Sequence, residues 1–210
     1  MDQVKPDSAE TQRLLEQAAS GDRTAFDRLL DRHRPSLLEF IEMRLDRSLR
    51  ARVDPSDVIQ DAQAEAAQRF ADYLRRRPMP FHLWMRKTTY ERLLMLHRRH
   101  SMAARRDVKR EVPLPERSSL AFARQLIASG SSPSRQIAAR EMASQVRQAI
   151  ARLPEADREI LLMRTFEGAS YEEIACLMDI QSDAAKKRHG RALLRLHKIL
   201  IEIGLTESEV

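Results

Sequence analysis

The chain has 210 residues, 37 Lys/Arg against 31 Asp/Glu, and a formal net charge of +6. Aromatic residues make up 5% and there are 5 glycines, so any core must be rich in Leu, Ala and Met, and the Ala/Leu/Glu/Arg-rich stretches favour helix over strand. The single Cys176 excludes an internal disulfide and a multi-cysteine zinc site. No apolar run of about 18 residues offers a membrane span, and Met1 to Glu10 lack a signal-peptide core, so a soluble, cytoplasmic chain is expected.

The basic charge is concentrated. Residues 85–110 hold nine Arg/Lys against two acids, and residues 182–200 hold six against one. The rest of the chain is net acidic. Two separate basic stretches suit two contacts along one nucleic acid.

In chain order, Leu14, Leu15, Ala18 and Ala19 open a helical stripe, continued by Phe26, Leu29 and Leu30 and then by Leu37, Leu38, Phe40, Ile41 and Leu45. Gly21 and Pro35 predict breaks in it. A stronger helix is expected from Asp54, with Asp54 as N-cap, Pro55 at the first helical position and Asp57 favouring the positive end of the helix dipole. Val58, Ile59, Ala62, Ala66, Phe70 and Leu74 form its inward face. Pro78 and Pro80 end it, and another helix follows from Phe81 to about His100.

Residues 101–140 contain Pro113, Pro115 and a Ser/Gly/Pro run at 129–134, the composition of a linker. Leu120 to Ala128 suit a short helix within it. Beyond it, Met142, Val146, Ile150 and Leu153 mark one helix, and Pro154 opens the next. Gly168 supplies a stop. Ser170 and Glu173 form a capping-box pair. After the turn Asp179-Ile180-Gln181, Ser182 is expected to cap a final helix reaching about Leu200, with Ala185, Leu193, Leu194, Leu196 and Ile199 available for packing. The fold expected is all-α: two small helical domains, 11–100 and 141–200, joined by a linker at 101–140.

Ser170 to Leu194 has the layout of a helix-turn-helix, in which a short helix and a tight turn buttress a second helix whose N-terminal half meets the major groove. Candidate DNA contacts there are Ser182, Asp183, Lys186, Lys187, Arg188 and Arg191. Cys176 reads as a small packing residue. No glycine-rich phosphate loop, nucleophile–base grouping or metal-ligand cluster stands out, so no catalytic residue, metal or cofactor is expected and the chain is not expected to be an enzyme. His97 and His100 lack a third ligand nearby and read as solvated or phosphate-facing.

Several motifs together resemble one family. Leu153-Pro154-Glu155-Ala156-Asp157-Arg158-Glu159-Ile160-Leu161, Phe166-Glu167-Gly168, Tyr171-Glu172-Glu173-Ile174-Ala175 and Arg188-His189-Gly190-Arg191-Ala192 are similar to region 4 of bacterial sigma factors, of the small two-domain extracytoplasmic-function (ECF) type in the sigma-70 superfamily. Gly21 to Phe26, Asp57-Val58-Ile59-Gln60-Asp61 and the stretches Phe81 to Arg86 and His97 to His100 resemble region 2. The resemblance implies a transcription initiation factor with core RNA polymerase and promoter DNA as partners, and an anti-sigma factor as a further one. It implies polymerase binding at Asp57, Gln60 and Asp61, and reading of the −35 element by the final helix. Trp84, Arg86, Lys87, Tyr90, Glu91, Arg98 and Arg99 would hold the melted −10 strand. Basic side chains beside aromatic surfaces suit that task, because the cost of unstacking must be repaid by binding the open strand. Three departures stand out: Gln63 where the family commonly has a large apolar residue, Glu91 in place of a common Asn, and Gly190 inside the final helix. The alternative is a helix-turn-helix regulator that acts without being a polymerase subunit.

Overall fold

A computed structural model describes residues 4–45, 50, 52–104, 145–146 and 148–204. Among them every regular element is helical. The expected short helix at 120–128 and residues 105–140 of the expected linker lie outside the described residues; 101–104 belong to the helix before it.

Helix α1 (Ala9–Ala19) starts at Ser8, whose hydroxyl accepts the N–H of Thr11, and ends before Gly21, which takes the left-handed φ of +100°. Asp22 then caps α2 (Arg23–Glu42) through the N–H of Thr24 at 2.9 Å. The break expected at Pro35 does not occur, because α2 runs through it. Proline deprives the carbonyl four residues earlier of its partner. Here that carbonyl belongs to Asp31, and Asp31 and Pro35 both lie on the exposed side. Leu29 and Leu37, buried on either side, hold the helix across the gap.

Helix α3 (Pro55–Arg76) begins as its sequence requires: Asp54 accepts the N–H of Ser56 at 2.8 Å, and Pro55 occupies the first turn. It ends at Arg77, a non-glycine residue with φ of 37°. The Tyr73 hydroxyl donates to the carbonyl of Met79 at 3.1 Å across that corner. Helix α4 (Phe81–Ala104) follows. It buries Phe81, Leu83, Trp84, Met85, Thr88, Thr89, Tyr90 and Leu93, so it is covered on more than one side. One side packs on α2 and α3 and another on the C-terminal half of the chain.

In that half, the described part of 145–151 is helical. Pro154 precedes α5 (Glu155–Leu161), which runs directly into a π-helical segment, Leu162–Phe166. There the backbone switches to five-residue hydrogen bonds, as in Glu167 N–H to the Leu162 carbonyl at 3.3 Å, and Gly168, with φ of +61°, closes it. Then come α6 (Tyr171–Met178) and α7 (Ser182–Glu202). The buried apolar residues of both halves form one continuous cluster, from Leu14 and Ile41 through Trp84 and Tyr90 to Ile160, Ile174 and Leu196. Among the described residues no helix is long and apolar enough to cross a membrane.

Candidate nucleic-acid interface and the seam beside it

Helix α6 is short because both its ends are fixed. At its start the Ser170 hydroxyl accepts the N–H of Glu173 at 3.1 Å, and the Glu173 carboxylate accepts the N–H of Ser170 at 2.9 Å, the reciprocal pair expected from the sequence. At its end Asp179 adopts φ of 59°, so the chain turns sharply. Asp tolerates this left-handed conformation better than most residues. Ile180 N–H bonds back to the Ala175 carbonyl at 3.1 Å, and α7 starts two residues on.

The cap of α7 differs from expectation. Gln181 is the N-cap, and Ser182 is already the first helical residue. Its hydroxyl is used elsewhere, donating to Glu172 on α6 at 3.1 Å, which locks the two helices of the motif together. The packing face also differs. Ala185, Ala192, Leu196 and Leu200 are buried, whereas Leu193 and Leu194 are exposed. Helical periodicity explains this, since Ala185, Ala192 and Leu196 share a face that Leu193 and Leu194 leave by 100° and 200°.

Asp183, Lys186, Lys187 and Arg191 are exposed on the first turns of α7, and Ser182 and Arg188 are half-buried. Arg195 pairs with Asp157 on α5, so it ties α7 to its scaffold. The Tyr171 hydroxyl meets His189 Nδ1 at 3.1 Å, and burial, with Arg164 adding to it, pulls the His189 pKa down from its ordinary value. The motif thus has a braced inner face and an outer face whose basic groups point to solvent.

On α3, Asp57, Gln60 and Asp61 are exposed, at positions that share one face. On α4 the expected residues divide. Arg98 and Arg99 are exposed. Glu91 lies 3.7 Å from Arg69. Trp84 and Tyr90, expected as surfaces for open bases, are core residues at 6% exposure each. Trp84 stacks on Tyr73, with centroids 4.5 Å apart, and Tyr90 meets Phe40 edge-on at 6.3 Å. These few aromatic residues are spent on an internal cluster with Phe70 and Phe81.

Arg86 and Lys87 are engaged by the C-terminal half. Arg86 pairs with Glu167, and Lys87 reaches Asp179 at 3.1 Å. Beside them Arg44, with a side chain only 1% exposed, lies 2.9 Å from Glu159 and 2.5 Å from Glu167. Its guanidinium also covers the Phe40 ring at 3.7 Å. Burial lowers the Arg86 pKa to about 10, and the nearby Arg44 adds to the fall. The expectations from sequence missed Arg44, Glu159 and Glu167 as a group. One signal was present: Arg44 sits between Ile41 and Leu45 in an otherwise apolar stripe, where an unpaired charge would be costly.

A tight turn, a braced buttress helix and an exposed basic helix define the class: a helical protein with a DNA-binding helix-turn-helix. The sequence comparisons add what the chain is similar to. Residues 143–196 match sigma-70 region 4. The chain is 28% identical over 189 residues to the RNA polymerase sigma-H factor of Pseudomonas aeruginosa, covering 90% of this chain and 93% of that one. It is 27% identical over 197 residues to the ECF RNA polymerase sigma factor SigD of Mycobacterium tuberculosis, covering 91% and 84%. Among solved structures, CnrH in complex with the cytosolic domain of CnrY matches with a TM-score of 0.56 at 21% identity, over 92% of this chain and 99% of that one. The sigma factor RpoE in complex with the anti-sigma factor NepR, from Bartonella quintana, matches with a TM-score of 0.53 at 17% identity, over 83% and 96%. Residues 143–196 thus carry sigma-70 region 4, and over nine-tenths of its length the chain is similar to RNA polymerase sigma factors, one of them of the ECF type.

Proposed function

We propose that this chain is a transcription initiation subunit that binds core RNA polymerase, recognises a promoter at two sites and stabilises its melting. The observation that carries this reading is the exposed basic face of α7, behind a capped and hydrogen-bonded turn, inside the segment matched by sigma-70 region 4. In this reading Lys186, Lys187 and Arg191 contact the −35 duplex, with Ser182, Asp183 and Arg188 at its margin. Residues 141–200 act as the −35 unit, residues 11–100 as the polymerase and −10 unit, and 101–140 join them.

The exposed acids Asp57 and Asp61, with Gln60 between, present an acidic and polar face of α3 to polymerase. Arg98 and Arg99 lie exposed on α4 to meet the backbone of the open strand. Arg86 and Lys87 join them once their carboxylate partners are released, and Glu91 borders that path. Trp84 and Tyr90 support the helix from within. Two of the matching structures are sigma factors held by another protein, CnrY in one and the anti-sigma factor NepR in the other. An anti-sigma partner for this chain, and a cytoplasmic site of action, follow from the same reading. The relatives are sigma factors rather than enzymes, and the proposal assigns no catalytic step to the chain.

The test is reconstitution. The full chain is mixed with core polymerase from its host and a promoter selected from host DNA. A stable polymerase complex and a transcript that depends on both the chain and the promoter are expected. Absence of both defeats the proposal, and a duplex footprint formed without polymerase favours a free-standing regulator.

A further inference from the structure

The seam between the two halves is built from charges of opposite sign. From the N-terminal half come Arg44, Arg86 and Lys87. From the C-terminal half come Glu159, Glu167 and Asp179. The Glu167 side chain is 4% exposed and shared by Arg44 and Arg86. The first residues of the chain cross the same seam, with the Lys5 N–H donating to Glu173 at 3.2 Å. Helix α4 packs directly on α6.

Glu167 and Asp179 therefore occupy Arg86 and Lys87, two cations that an incoming nucleic-acid strand would need, and Glu159 holds Arg44 beside them. The covering is selective, because Lys186, Lys187 and Arg191 on α7 stay exposed in the same arrangement. The ion pairs lie beside an apolar cluster shared by both halves, so they set the register of the closure more than its strength. Desolvation cancels much of the attraction, so such a contact adds little net stability while remaining specific in geometry. A polyanion supplies the same kind of partner as the carboxylates, with many more charges.

We infer that the acidic face formed by Glu159, Glu167 and Asp179 competes with single-stranded DNA for Arg86 and Lys87, so that the chain closes on itself and an open strand displaces the closure. The inference rests on the assignment of α4 to the melted strand. It adds that the C-terminal half carries, apart from the exposed cations of its recognition helix, an internal substitute for that strand.

The unique Cys176 gives a direct readout. It lies half-buried on α6, close enough to Lys87 for the two to interact electrostatically. Two measurements are made on the full chain: the rate of Cys176 alkylation by iodoacetamide, and the binding of a fluorescent oligothymidine strand followed by anisotropy. Glu159→Gln with Glu167→Gln is expected to raise both the alkylation rate and the strand affinity about tenfold. Oligothymidine added to the unaltered chain is expected to speed alkylation as well. The control Glu16→Gln with Asp27→Asn removes the same charge at exposed positions of α1 and α2 and leaves both readouts unchanged.

If the double variant does not fold, Asp179→Asn serves, since that side chain is 88% exposed and takes no part in the core. It is expected to move both readouts the same way by about twofold. Unchanged alkylation in these variants overturns the closure. Faster alkylation without tighter strand binding overturns the competition. An equal gain in the control assigns the effect to net charge and overturns it too. Failure of the wider functional reading shows separately, as loss of the polymerase-dependent transcript.

Discussion

Asp7 and His82, 75 positions apart in the chain, are joined by a 2.8 Å contact between the Asp7 carboxylate and His82 Nδ1. The same carboxylate accepts the N–H of Phe81 at 2.6 Å and that of His82 at 3.1 Å. Helix α4 is therefore capped by a residue from before α1 rather than by its own neighbour Pro80. This anchors the start of the chain to the helix that meets both halves.

Asp7→Ala is expected to lower stability by about 1–2 kcal/mol, the usual cost of a lost cap. Burial opposes ionisation of Asp7, but the bond to His82 and the two backbone bonds outweigh it and hold its pKa below the ordinary 3.8. The unfolded chain thus binds a proton at higher pH than the folded chain does. The contribution is present in full above about 3.8 and is lost as pH falls through the lower folded value. Melting curves of D7N from pH 6 to pH 2 are expected to lack this step.

His33 predicts an acid sensitivity at higher pH. Burial lowers its pKa below 6.5, against the pull of Asp7. It lies 3.3 Å from the Thr11 hydroxyl, with its ring 5.4 Å from that of Phe81. Because the unfolded histidine takes up its proton first, stability is expected to fall as pH drops below about 6.5 toward the folded value. His33→Gln is expected to flatten the dependence of melting temperature on pH between 7.5 and 5.5, measured by circular dichroism.

Two glycines predict opposite signs. Gly168 holds φ of +61° where the π-helical segment ends, so Gly168→Ala is expected to destabilise by about 1 kcal/mol. Gly190 lies inside α7, and a Cβ added there meets nothing within 4 Å. Gly190→Ala is expected to stabilise by about 0.5–1 kcal/mol through helix propensity. Urea denaturation of the two variants checks both. The folded chain offers no packing reason for Gly190.

Lys186→Ala and Arg191→Ala are expected to weaken −35 duplex binding by the polymerase-bound chain by about tenfold each. If a side chain sits on a phosphate, the slope of log affinity against log salt falls by about 1 for that variant, with equal loss on all sequences. If it reads a base, discrimination at one position is lost instead. Titration of promoter variants at several salt concentrations separates the two.

The elements most legible in the sequence were those with local signals. Asp54-Pro55 fixed the start of α3, and Ser170 with Glu173 fixed the start of α6, because capping is decided within four residues. Pro35 misled, since its effect depends on whether the freed carbonyl reaches water, which is a tertiary matter. Leu193 and Leu194 misled for a related reason: hydrophobicity alone does not say which of several apolar residues on a helix faces the scaffold. Trp84 and Tyr90, expected at the surface, are buried against Tyr73 and Phe40, a tertiary pairing that the spacing along one helix does not show. The seam was beyond local reading, as Arg44 and Glu159 are separated by 115 positions and a long Pro/Ser-containing stretch.

Asp179 has two roles. Its backbone, at φ of 59°, fixes the bend between α6 and α7, and its side chain is the point that Lys87 grasps. A pull from α4 is thus delivered at the elbow of the recognition motif rather than somewhere on its rigid arms. The seam and the bend of the helix-turn-helix meet at one residue, so a substitution at Asp179 touches the Lys87 contact and the joint ahead of the recognition helix together.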